Sequence, residues 1–301
     1  REGAALQLGG SIGGTIGKWL KMDDYDHKIM IMCGMSAGFS ALFGTPLTAT
    51  VFAMEVVSVG IMQYAALVPC SVAALTAKGF AEFLGAHGEH FALPAVTAFD
   101  WRSAGLTVLL ALCCAAVSIL FCVVLHCTEH LYKKWIPDEW LRITAGGCLV
   151  ILMTKLLGTT DYLGAGMDVI ELAMEGKVIA AAFLVKMVFT AVSLGSGFRG
   201  GEIVPTLFVG ATFGCLFGQV TGLSPSLAAA CGMASVFCGV TNCPVSSLLL
   251  SFELFGFECM PFFLLSVSIA YLESGYYGLY HSQKILYSKT KLKFINTYTK
   301  E

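Results

Sequence analysis

The sequence predicts an all-α polytopic membrane protein whose helices are interrupted inside the bilayer. Composition, the length of the apolar segments and an internal repeat carry that prediction. Of 301 residues, 56% are hydrophobic and 13% charged, and the mean hydropathy is +0.77. These values lie far from soluble averages. A net charge of −2 supplies no bulk field for nucleic acid.

Weakly charged stretches run over 29–62, 64–86, 103–127, 138–158, 178–198, 203–221, 226–257 and 259–281. Each is near or above the roughly 20 residues that span hydrocarbon. The stretch 29–62 is too long for one straight span, and Pro46 divides it. The same punctuation recurs in 226–257, which Pro244 divides. About a dozen helical pieces are expected.

The repeat follows from the same prolines. Cys33-Gly-Met-Ser-Ala-Gly-Phe39 lies over Cys231-Gly-Met-Ala-Ser-Val-Phe237, with Pro46 on Pro244 and Glu55 on Glu253, at one offset of 198. Upstream, Gly9 and Gly13 fall on Gly210 and Gly214, and Ala4 on Pro205, at an offset of 201. Two related halves with broken helices place a substrate site near the midplane, between helix ends.

The best such end is Gly195-Ser-Gly-Phe-Arg-Gly-Gly-Glu202-Ile-Val-Pro205. Proline fits the first turn of a helix, and that turn presents unpaired N–H groups and partial positive charge. This is a backbone anion site. Arg1-Glu2-Gly3 is its counterpart in the first half.

These motifs resemble the CLC family of anion channels and proton-coupled antiporters. Arg1-Glu2-Gly3-Ala4-Ala5 is similar to the family's G-R/K-E-G-P helix start, without the leading Gly and with Ala4 in place of Pro. Gly200-Gly-Glu-Ile-Val-Pro205 resembles its G-x-F-x-P start. Phe43-Gly-Thr-Pro46 through Glu55, and Asn242-Cys-Pro244 through Glu253, resemble two further helices. Tyr162-Leu-Gly-Ala-Gly166 fits a loop between the halves, and Leu286-Tyr287-Ser288 resembles the C-terminal element whose tyrosine reaches the anion.

The resemblance implies a CLC-type fold with inverted helical repeats and a homodimer with one ion path per subunit. It implies neither metal nor organic cofactor. Two departures point to the fluoride-exporting branch. Glu202 puts an acid at the helix mouth, in a loop where chloride antiporters carry none and have an aromatic or bulky apolar residue after the Gly-x, and Val56 replaces the second acid that follows Glu55 in chloride/proton exchangers. The expected function is therefore fluoride/proton antiport by a secondary active transporter, not an enzyme. A chloride/proton exchanger or chloride channel of the same fold is the alternative.

In this reading Glu2 is both gate and proton carrier, since an intramembrane acid is costly unless used. Glu202 tunes the site or relays protons, either protonated or bonded to backbone N–H groups. Gly3, Ala4, Ala5, Ile203 and Val204 supply backbone donors, and Tyr287 a hydroxyl. Glu55 and Glu253 serve helix ends or packing. A more distant alternative is an intramembrane zinc peptidase, because His126-Cys-Thr-Glu129-His130 fits H-x-x-E-H.

Twelve cysteines sit mostly in apolar runs, as packing residues with no disulfide or zinc-ribbon spacing. Lys133, Lys134, Lys284, Lys289, Lys291 and Lys293 favour the cytoplasmic side, in a multi-pass protein of a prokaryotic inner membrane. The chain opens at Arg1, directly in a motif, and is read as lacking the N-terminal part of its first repeat. Its expected divisions are 1–125 (rest of the first repeat), 126–170 (linker and first helix of the second half), 171–281 (second repeat core) and 282–301 (a C-terminal cytoplasmic element).

Overall fold

The computed structural model describes residues 2–86, 88, 91, 93 and 98–300. The helices in chain order are α1 (Glu2–Trp19), α2 (Asp24–Phe43), α3 (Pro46–Glu55), α4 (Leu67–Phe83), α5 (Trp101–Trp135) and α6 (Glu139–Leu157). There follow α7 (Met167–Met174), α8 (Ala182–Gly195), α9 (Ile203–Thr221), α10 (Pro225–Thr241), α11 (Pro244–Phe255) and α12 (Met260–Glu273). By length and composition, four described segments can cross a membrane: Tyr64–Phe83, α5, α6 and α9.

Both proline breaks are present. α2 stops at Phe43 with Gly44 left-handed at φ 70°, and α3 starts on Pro46. α10 stops at Thr241 with Asn242 left-handed at φ 59°, and α11 starts on Pro244. A left-handed residue ends one helix, and proline opens the next where a missing N–H costs nothing.

The repeat is also physical. α1 crosses α2 where a Cβ on Gly9 would overlap the Gly34 carbonyl, and α9 crosses α10 where a Cβ on Gly210 would overlap the carbonyl of Gly232. Small residues at such crossings let backbones meet. The α9/α10 pair forms the centre of the core, and α10 is buried from Ser226 to Thr241.

Apolarity alone underestimates α5. It runs to Trp135 rather than to 127, so the expected division at residue 125 falls inside a continuous helix. Asp100 and Ser103 open it with a reciprocal capping box. The Ser103 hydroxyl and amide hold the Asp100 carboxyl below its usual range. At the other end, polar residues from Glu129 to Lys134 still favour the helix, and the two lysines suit its C-terminal dipole.

One small sheet joins the helices. β1 (Ser58–Val59) pairs in parallel with β2 (Lys284–Tyr287), and β2 pairs antiparallel with β3 (Phe294–Tyr298). It fastens the C-terminal segment to the end of α3. Gln283, 2% exposed, donates to the carbonyls of Val56 at 2.9 Å and Thr241 at 2.8 Å. Asn242 Nδ2 donates to the Gln283 side chain at 3.2 Å and to the Tyr277 carbonyl at 2.9 Å.

Lys289, one of the tail lysines, folds back onto the core. Its Nζ donates to Asn242 Oδ1 at 2.6 Å, the Tyr271 carbonyl at 2.9 Å and Ser274 Oγ at 3.1 Å. It also lies 4.4 Å from the Tyr271 ring centroid. Burial lowers its ammonium from the usual lysine range to about 8. All twelve cysteines are free thiols.

Candidate ion-binding site

The two glycine-rich helix starts meet. A Cβ on Gly3 would stand 3.3 Å from Gly201 Cα, 3.4 Å from the Gly200 carbonyl oxygen and 3.6 Å from the Glu202 nitrogen. Glycine at the head of α1 keeps this approach uncrowded, since a Cβ there would be in tight contact with the Gly200–Gly201 backbone. Glu2 is the first residue of α1, and its side chain lies outside the described residues, as does Arg1.

At the head of α9 the first backbone bond runs from the Thr206 N–H to the Glu202 carbonyl at 3.2 Å. Pro205 has no N–H, so the amides of Ile203 and Val204 stand ahead of the ladder. Both residues are buried, at 0% and 3% exposure. Glu202 occupies the N-cap position with helical φ −99° and ψ −23°, and its side chain makes no cap bond. The expected bond from its carboxylate to these amides is therefore not made, and the dipole end of α9 is left open by the chain's own acid. Ala4 and Ala5 are half-buried in the first turn of α1, with the Ala5 carbonyl set against Gly38 of α2.

A cleft of about 590 Å³ reaches this point, lined by Tyr162, Gly164, Lys186, Gly200, Gly201 and Pro205 among others. Lys186, 1% exposed, donates to the carbonyls of Gly164 at 2.7 Å and Tyr162 at 3.2 Å. Its Nζ lies 4.9 Å from the Phe208 ring centroid. This lysine fixes the Tyr162–Gly166 loop beside α9 and places positive charge at the cleft wall. No motif singles it out in the sequence; its isolation among apolar residues is the available signal.

The tyrosine expected at the site lies in the small sheet. Tyr287 lies in β2, 43% exposed, with its ring packed edge-on against Phe294 at 5.6 Å. Its Cβ lies against Gly60. The strand register holds it on the sheet. Tyr280, seven residues earlier, is packed against the main core. The Leu279 N–H donates to the Val240 carbonyl at 2.9 Å and the Gln283 N–H to the Tyr280 carbonyl at 3.0 Å, so the backbone on both sides is fixed.

The H-x-x-E-H reading fails on geometry. His126 and Glu129 gather with His281, not His130, and His130 lies on the same helix outside that cluster.

Glu55 and Glu253 serve helix ends, as expected. Glu55 accepts from the amides of Val245 at 3.1 Å and Ser246 at 2.8 Å, and from the Ser246 hydroxyl. Glu253 accepts from the amides of Leu47 at 3.0 Å and Thr48 at 2.8 Å, and from the Thr48 hydroxyl at 2.6 Å.

Comparison with known proteins agrees with this architecture. A family model described as voltage gated chloride channel matches residues 1–275. A chloride/fluoride channel protein of Pseudomonas syringae pv. tomato is 34% identical over 295 residues, covering 96% of this chain and 65% of that protein. A ClcB-like chloride channel protein of Ralstonia nicotianae is 28% identical, over 84% of this chain and 62% of its own length. The chain thus spans slightly less than two thirds of these curated relatives. Among solved structures, a CLC-type fluoride/proton antiporter superposes with a TM-score of 0.90 at 33% identity, covering 94% of this chain and 72% of that one. A slow cyanobacterial Cl⁻/H⁺ antiporter superposes with a TM-score of 0.78 at 19% identity, over 91% of this chain and 67% of that one, which speaks to the fold alone. With its paired broken helices, converging helix starts and these matches, the chain is a multi-pass membrane protein of the voltage-gated chloride channel (CLC) family.

Proposed function

We propose that the protein is a fluoride/proton antiporter, a secondary active transporter that expels fluoride. The observation that carries this reading is Glu202 at the open first turn of α9, uncapped and beside Gly3 of α1. A small, strongly hydrogen-bonding anion suits converging donors. The amides of Gly3, Ala4, Ala5, Ile203 and Val204 supply them, and Tyr280 takes the hydroxyl role expected of Tyr287. Glu2 competes with the anion for the helix ends and leaves on protonation, which links anion and proton movement. Glu202 adjusts the field around the anion and exchanges protons with it.

Val56 at the end of α3 supports the same branch. Its carbonyl is occupied by Gln283, and Val56 itself offers no second acid after Glu55. The relative and the solved structure at 34% and 33% identity both carry fluoride in their descriptions. The protein works as a homodimer with one path per subunit, in a prokaryotic inner membrane with its basic segments cytoplasmic, and uses no cofactor. Chloride/proton exchange on the same fold is the competing reading.

Flux from proteoliposomes loaded with fluoride or chloride tests this. Fluoride efflux that drives proton uptake, with coupling lost in Glu2→Gln, is the expected result. Chloride moving as fast as fluoride refutes the branch assignment.

A further inference from the structure

The His126, Glu129 and His281 cluster is absorbed by no part of the transport scheme. One ligand atom from each lies within 4.8 Å of the others. His126 and Glu129 stand one turn apart near the C-terminal end of α5, while His281 follows Tyr280 in the C-terminal segment. The two imidazoles meet edge-on with centroids 4.2 Å apart. His126 Nε2 lies 3.0 Å from the Gly278 carbonyl, which puts a proton on Nε2 and leaves Nδ1 with its lone pair. Such a bond orients an imidazole for a metal. The Glu129 carboxylate is divided: Oε1 takes Lys133 Nζ at 2.6 Å, and Oε2 faces His281 Nε2 at 3.8 Å. His126 is buried, whereas His281 and Glu129 are partly exposed, so an ion can enter from solvent.

We propose that His126, Glu129 and His281 form a binding site for a borderline divalent transition metal, Zn²⁺ being the best match. Two imidazoles, one carboxylate and a water complete a tetrahedral shell, which a hard cation such as Mg²⁺ does not favour. The ligands come from α5 and from the segment bearing Tyr280, far apart in the chain. A bound ion therefore pins the Tyr280 segment to the long helix and slows transport. The pinning rests on the transport function proposed above; the binding does not.

Zn²⁺ titration of the chelator-stripped full chain in detergent tests the binding, with Mg²⁺ as control. One Zn²⁺ per chain is expected, weakened about tenfold or more in both His281→Ala and Glu129→Gln and unchanged in His130→Ala. His281 is half-exposed, so its removal leaves the core intact. Equal affinity in wild type and His281→Ala overturns the site, and so does a loss in His130→Ala, which would restore the linear motif. In proteoliposomes, whichever anion is carried, Zn²⁺ slows wild type and spares His281→Ala. Equal flux with and without bound Zn²⁺ overturns the pinning.

Discussion

Glu55 and Glu253 each cap the helix on which the other stands: Glu55 holds the start of α11 and Glu253 the start of α3. The donor amides obey the repeat as well, since Val245 and Ser246 stand 198 residues after Leu47 and Thr48. A carboxylate at a helix N-terminus satisfies amides that the helix leaves open. Here each half satisfies the other's.

Their burial separates their cost. Glu55 is 7% exposed and Glu253 is only partly buried. Glu55→Ala is expected to cost about 1–3 kcal/mol, because it strands buried donors. Glu253→Ala should cost nearer to about 1 kcal/mol, the usual loss of a more accessible cap. Thermal unfolding in detergent ranks the two, and a larger loss at Glu253 contradicts the assignment.

The helix crossings allow a test in which one substitution changes sign with position. Gly210→Ala drives a methyl into the Gly232 carbonyl and should destabilise by about 1–3 kcal/mol. At Gly79 of α4 a Cβ meets nothing within 4 Å, so Gly79→Ala should stabilise by roughly 0.5–1 kcal/mol. Both are read from the same melting experiment.

The two tyrosines separate by function. Tyr280→Phe should reduce fluoride flux roughly 10-fold or more, the effect of losing a hydrogen bond to a charged partner, about 1.5–3 kcal/mol. Tyr287→Phe should leave flux within about twofold, since the ring contact with Phe294 is kept. Equal losses in both would return Tyr287 to the path.

Lys289 gives the fold a pH slope of definite sign. Its folded ammonium titrates at about 8, below the ordinary lysine value of roughly 10.4. Between those values the unfolded chain binds the extra proton, so through that window this lysine makes stability rise as pH rises. Lys289→Met should flatten that part of the melting-temperature profile, while an unchanged slope assigns it to another group.

Proline and spacing make much of this structure readable in advance. Pro46 and Pro244 mark the breaks, and Gly-Gly-Glu-x-x-Pro places the start of α9 at Ile203. Contacts between distant segments are not readable. The offset equates Glu55 with Glu253, but nothing local shows that they cap across the repeat. The two tyrosines show the same limit. Leu286-Tyr287-Ser288 is a local match, whereas the bond from Leu279 to Val240 that holds the Tyr280 segment against α10 is not local. The helix α7 and the sheet escape a sequence reading because short amphipathic and two-residue elements leave little periodicity to detect.

Gln283 has a consequence for assembly. By bonding the ends of α3 and α10 together, it docks the C-terminal segment on surfaces that both halves must already have built. The contact between the starts of α1 and α9 uses nothing after Glu273, whereas the placement of Tyr280 needs that segment docked on α10. Docking of this segment is therefore a long-range, late event in folding, and on the proposed reading the wall that Tyr280 adds to the ion path forms only then.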